Sequence, residues 1–134
     1  MRVEGSCHCG KIHFEADIDA ERVGICHCAD CQTLSASAFR VTAPASEASF
    51  RLLRGMPKLY VKETANSGAP RVQAFCVECG SAIYSTSLAG TERTFGIRIG
   101  VLKQRAKLTP SHQIWCQSKL PWLPELPGQA VEQE

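Results

Sequence analysis

Long apolar runs are missing from this 134-residue chain. Met1-Arg2-Val3-Glu4-Gly5 has no stretch that could serve as a signal peptide, and no later segment is long enough to span a membrane. A cytoplasmic location with no membrane partner is therefore expected. A helix-length amphipathic pattern and a repeat at fixed period are missing too, which excludes helical bundles and solenoids. Aromatic residues make up only 7% of the chain, and although Trp115 and Trp122 could wall a pocket, at this density they are expected to serve the core or cover an edge. Charge of one sign is scarce as well. The formal net charge is +2 before any thiolate is counted, so the basic pI gives no case for a nucleic-acid partner.

With 44% hydrophobic and 21% charged residues, the chain has the balance of one globular domain that buries roughly two-thirds of its unfolded surface. That domain is expected over residues 1–123, with 124–134 a polar C-terminal tail. Short segments of alternating polarity carry it. Lys11 to Asp17 alternates Ile12, Phe14 and Ala16 against Lys11, His13 and Glu15, the mark of a half-buried strand. Arg22 to Cys26, Phe39 to Thr42, Arg71 to Phe75, Ser81 to Thr86, Thr94 to Val101 and His112 to Cys116 also read as β. Pro44 is expected to end the strand before it. Phe50 to Arg54 and Lys58 to Glu63, separated by Gly55-Met56-Pro57, read as a hairpin-like pair, with a loop at Asn66-Ser67-Gly68. Gln32 to Ala38 is small and polar, Lys103 to Leu108 suggests one helical turn, and the segment from Pro121 reads as coil. The predicted class is mainly β, with antiparallel sheets.

What the chain has in plenty is cysteine. Seven of its eight cysteines fall into three tight clusters, and Cys116 stands alone. In a reducing compartment such cysteines are ligands before they are disulfides. Cys26-His27-Cys28-Ala29-Asp30-Cys31 puts three thiols within six residues, too close for unstrained disulfide geometry but suited to thiolates about 2.3 Å from one zinc ion. On an extended strand Cys26 and Cys28 leave from one face and His27 from the other. The natural four-ligand structural site is Cys7 and Cys9 with Cys76 and Cys79. Both pairs end in Cys-Gly, and Gly10 and Gly80 can take the left-handed conformation that zinc knuckles require.

The middle cluster has no obvious fourth ligand. Three protein ligands and a free position are the arrangement of a catalytic or thiol-binding zinc; the alternative is a second structural site closed by Cys116, His27 or Asp30. Three thiolates would weaken the metal as a Lewis acid toward water, yet an exogenous thiol would be held there as a thiolate, nucleophilic toward an aldehyde carbon. An iron site of rubredoxin type is the metal alternative for the four-cysteine set. Arg40, Ser35, Ser37 and Lys119 are candidates to hold carboxylates of such a thiol. His8, His13, His27 and His112 invite a general-base role, with His27 nearest the cluster.

Taken in order, Cys-x-Cys-Gly, Cys-His-Cys-x-x-Cys, Phe-Cys-x-x-Cys-Gly and the late Ser-Lys-x-Pro-Trp resemble the glutathione-dependent formaldehyde-activating enzyme family, over Gly5 to Leu123. The zinc domain also resembles that of centromere protein V. The resemblance implies a β-tent fold with antiparallel sheets joined by zinc knuckles. It implies a structural zinc on Cys7, Cys9, Cys76 and Cys79 and a catalytic zinc on Cys26, Cys28 and Cys31. The implied activity is a carbon–sulfur lyase acting on S-hydroxymethylglutathione or a similar thiol–aldehyde adduct, with glutathione or a related thiol as partner. The rival reading is a non-catalytic binding module whose two metals only hold a scaffold. The sequence departs from the family pattern at Ala36, where many relatives carry glycine, and at Leu102-Lys103-Gln104, where the family has Leu-Asp-Asp.

Overall fold

Alternation of buried and exposed residues builds the first sheet. In β1 (Arg2–Ser6) Val3 and Gly5 face inward, and in β2 (His13–Asp17) Phe14 and Ala16 do. The strands pair antiparallel with Gly5 opposite Phe14, whose ring lies so close over the glycine that no Cβ fits there. β5 (Arg51–Arg54) adds to the free side of β2. The computed structural model describes residues 1–65, 68–88 and 90–131.

The second sheet is larger. It contains β3 (Gly24–Cys26), β4 (Arg40–Ser46), β6 (Lys58–Lys62), β7 (Arg71–Phe75), β8 (Ala82–Ser87), β9 (Thr94–Arg98), β10 (His112–Ile114) and β11 (Gln129–Ala130). Their order is β11-β10-β3-β4-β9-β8-β7-β6. All neighbours are antiparallel except β10, which runs parallel to both β3 and β11. A seven-residue helix, α1 (Ala29–Ser35), links β3 to β4. The chain is mainly β, as the alternation predicts.

Both sheets share one core. Val3, Phe14 and Ala16 meet Ala43, Ile83, Phe95 and Ile97 from the larger sheet, all at most 4% exposed. Phe50 joins the two layers: its ring stacks on Phe14 at 4.9 Å and meets the edge of Tyr84 at 5.1 Å, while Tyr84 stacks on Phe95 at 4.1 Å. Leu102 is fully buried and its neighbours fasten to β1, with the Lys103 N–H on Glu4 O and Gln104 Oε1 accepting from the Glu4 N–H. The departure at Leu102-Lys103-Gln104 is thus a packing segment. No described helix is long and apolar enough to cross a membrane.

Four expectations are corrected. β4 runs through Pro44 to Ser46, because the Pro44 carbonyl accepts from the Asp19 N–H at 2.9 Å. Its ring nitrogen faces that same side, away from β9, so the ladder to β9 loses no donor. β5 and β6 do not form a hairpin. Leu52 of β5 pairs with Phe14 over the core, whereas β6 has a full five-residue register with β7, and Gly55-Met56-Pro57 carries the chain between sheets. The polar stretch after Cys31 is largely α1. The segment after Pro121 is not all coil, since β11 pairs with β10. The 3₁₀ turn Arg105–Lys107 falls where one helical turn is expected, and Ile99–Val101 and Cys116–Ser118 are 3₁₀ turns at the ends of predicted strands. Asn66 and Ser67 of the expected loop lie outside the described residues.

Candidate metal centres

Two tight turns make the first centre. After β1, the Gly10 N–H returns to Cys7 O at 3.1 Å and the Ile12 N–H reaches Cys7 Sγ at 3.2 Å. After β7 the pattern recurs, with the Gly80 N–H on Cys76 O at 2.7 Å. Gly10 and Gly80 both have φ of 80°, the left-handed value expected from the Cys-Gly spacing. The His8 N–H donates to Ser81 Oγ at 3.0 Å and ties the turns together.

All four sulfurs, of Cys7, Cys9, Cys76 and Cys79, lie within 4.8 Å of one another, with Cys7–Cys9 at 3.6 Å and Cys9–Cys76 at 3.8 Å. Thiolates about 2.3 Å from a tetrahedral zinc ion are about 3.8 Å apart, so the residues fit that ion. Their titration is divided. Cys79 is held down to about 5, first by the Ser81 hydroxyl and then by backbone N–H groups. Cys9 is pushed up to about 11: the Lys11 N–H favours its thiolate, but burial and the three neighbouring thiols outweigh it. Four thiols this close cannot all ionise without a cation, and a shared divalent ion removes the conflict.

The second centre sits where β3 passes into α1. Cys26 is the last residue of β3, Cys28 caps α1 with its sulfur accepting from the Cys31 N–H at 3.4 Å, and Cys31 lies in the first turn. The three sulfurs lie within 4.8 Å of one another, and among the described residues no fourth His, Cys, Asp or Glu joins them. Arg40, opposite Cys26 on β4, donates Nε to Cys31 Sγ at 3.0 Å and Nη1 to Thr42 Oγ1 at 2.9 Å. Cys31 is held down to about 4, first by its hydrogen bond with Cys26 and then by the charge of Arg40. Cys26 is pushed up by the same hydrogen bond and by burial.

Of the candidate fourth ligands, His27 and Asp30 are bonded elsewhere, though His27 Nδ1 is buried without a hydrogen-bond partner among the described residues. His27 is fully buried; its Nε2 meets Gln113 Oε1 at 2.8 Å, and its backbone N–H donates to Ile114 O. Gln113 spends its amide hydrogens on Leu126 O and Gly128 O, which leaves its oxygen to accept from His27. Asp30 accepts from Lys62 Nζ at 3.0 Å and Thr64 Oγ1 at 2.8 Å, and these bonds hold its carboxyl below the usual range. Cys116 belongs to neither centre.

A cleft of about 450 Å³ opens over the three cysteines, and Arg40, Lys62, Thr64, Arg71, Trp115 and Ser118 contribute to its walls. Arg40 and Trp115 are thus at the site. Ser35 instead bonds Gln32 O and Phe39 O at the end of α1, and Ser37, Lys119 and Trp122 do not line the cleft. Of the histidines, His112 lines a smaller pocket of about 140 Å³ that shares Cys26, Arg40 and Ile114 with the cleft. Sequence reasoning missed Lys62, Thr64, Arg71 and, behind them, Arg98, which come from distant strands and carry no common spacing. Arg98 is 9% exposed and pushed down to about 9, first by burial and then by the charge of Arg40. A larger depression, about 620 Å³ and lined by Asp17, Asp19 and Glu21 among others, has no cysteine in its wall.

The crystal structure of a Rhodobacter sphaeroides protein, a Northeast Structural Genomics target, is similar in fold: TM-score 0.58 and 22% identity, over 77% of this chain and 88% of that one. An uncharacterized lyase of Schizosaccharomyces pombe is 30% identical over 81 residues, 60% of this chain and 55% of that protein. The chain therefore spans about half the length of that relative. The family described as glutathione-dependent formaldehyde-activating enzyme matches residues 2–118, a range that takes in both cysteine centres. The chain belongs to the glutathione-dependent formaldehyde-activating enzyme family.

Proposed function

We propose that residues 1–123 form a zinc-dependent carbon–sulfur lyase domain, with 124–134 as an appended tail, acting on a thiol–aldehyde adduct such as S-hydroxymethylglutathione. The observation that carries this reading is the contrast in ligand number. Cys7, Cys9, Cys76 and Cys79 supply a complete tetrahedral set, while Cys26, Cys28 and Cys31 supply three sulfurs at the floor of an open cleft. A zinc ion held by those three would accept a substrate thiol as thiolate at its remaining position.

The chain's own groups fit the rest of the reaction. In the lyase direction the carbon–sulfur bond breaks and sulfur keeps the electron pair; the adduct's hydroxyl proton goes to water as the aldehyde C=O forms. Arg40 donates to Cys31 Sγ and offsets part of the charge that gathers on the sulfurs. Cys28 Sγ, accepting from the Cys31 N–H, is fixed relative to the first turn of α1. His27 is turned from the cleft by Gln113, which supports a buried positioning role over general-base work.

The test is a thiol titration of the cobalt-substituted protein. Glutathione is expected to raise the sulfur-to-metal charge-transfer intensity and release a proton, in wild type but not in Cys31→Ser. Breakdown of the formaldehyde adduct is then measured against the uncatalysed rate. Thiol binding without turnover would retain the site and reject the named adduct; no response to thiols would leave a scaffold held by two metals.

A further inference from the structure

Cationic side chains from four strands converge on the three-cysteine cleft: Arg40 from β4, Lys62 from β6, Arg71 from β7 and, buried behind them, Arg98 from β9. The single carboxylate in the wall among the described residues, Asp30, is bonded to Lys62. Arg40 is spent on Cys31 Sγ and Thr42 Oγ1, and Arg98 on Gln73 Oε1 and Ser85 Oγ.

Arg71 differs from the other three. It lines the cleft half-buried, and among the described residues it has neither a side-chain hydrogen bond nor an ion pair. It also stands directly opposite Lys62 in the β6–β7 register, a like-charge pairing that costs stability in a sheet. A guanidinium held in a cleft beside other cations has a fork of donors suited to a carboxylate.

We propose that Arg71 is a specificity-determining residue of this cleft and receives the carboxylate of a thiol whose sulfur lies at Cys26, Cys28 and Cys31. The favoured substrates are then adducts of carboxylate-bearing thiols. This rests on the reading of the cleft as a thiol site, and the experiment separates the two.

Cobalt-substituted protein is titrated with mercaptopropionate and with mercaptoethanol, which differ in carrying a carboxylate or a hydroxyl. In wild type the carboxylate thiol is expected to bind roughly tenfold tighter or more, the scale of a charge-assisted pair in a partly desolvated site. Arg71→Gln should bring the two affinities together by weakening mercaptopropionate alone. Arg71→Lys, the variant to use should the glutamine form fail to fold, keeps the charge and loses the fork, and should retain part of the preference. Equal affinities in wild type, or a preference unchanged in both variants, would overturn the role of Arg71 while the thiol site stands. A cobalt spectrum unmoved by either thiol would overturn the thiol site, and this inference with it.

Discussion

The two cysteine centres are made of the same ligand atom and differ in how the backbone delivers it. Around Cys7, Cys9, Cys76 and Cys79, two glycine-ended turns at the tips of β1 and β7 close on each other, and the sulfurs form a complete tetrahedron. Around Cys26, Cys28 and Cys31, a strand end and a helix start supply three sulfurs from one stretch of chain, leaving a side open to the cleft. Joining distant segments stabilises a fold; gathering sulfurs from one segment leaves room for a ligand.

The largest expected effect tests that division. Cys79→Ser should abolish stable folding, because structural zinc binding is worth roughly 10–16 kcal/mol against a domain stability of about 5–15 kcal/mol. Cys28→Ser should leave a folded protein with one metal fewer. Thermal melts with metal analysis check both, and two variants that melt alike would erase the distinction.

Next is Arg40→Met. Removing the guanidinium from Cys31 Sγ should weaken metal binding at the three-cysteine centre by about 10–100-fold, as loss of a group bonded to a ligand does. Affinity at the four-cysteine centre should not change. Chelator competition reads the two separately.

The knuckles were legible in the sequence because their chemistry is local: Cys-Gly spacing predicts the left-handed glycine, and both Gly10 and Gly80 have it. Most strands were legible from alternation. α1 was not, because neither end carries a usual signal. Cys28 stands at the N-cap in place of Ser, Thr, Asp or Asn, and Ala36 ends the helix at φ 51°, ψ 41° in place of glycine. The cation wall was illegible for another reason: Arg40, Lys62 and Arg71, with Arg98 buried behind them, are brought together only by strand order.

Ala36 gives a smaller effect of opposite sign. Its left-handed backbone carries a Cβ penalty that glycine avoids, so Ala36→Gly should stabilise the protein by up to about 1 kcal/mol, read from denaturant unfolding. Smallest of all is Asp30→Asn. The Asp30–Lys62 pair is partly exposed, so the loss at neutral pH should stay below about 1 kcal/mol, with metal content unchanged. Because the carboxyl is held below its usual range, its contribution is present above the unfolded pKa of about 4 and fades as pH falls through the lowered folded value. Loss of a metal ion in Asp30→Asn would instead make Asp30 a ligand.

The most direct measurement is exchange of isotopically labelled zinc into protein loaded with two equivalents of zinc, with and without glutathione. One ion, at the three-cysteine centre, is expected to exchange within minutes at a rate that glutathione alters, and the other to stay for hours with no response to thiol. Two ions that exchange equally slowly and ignore glutathione would contradict the open centre and leave two closed structural sites.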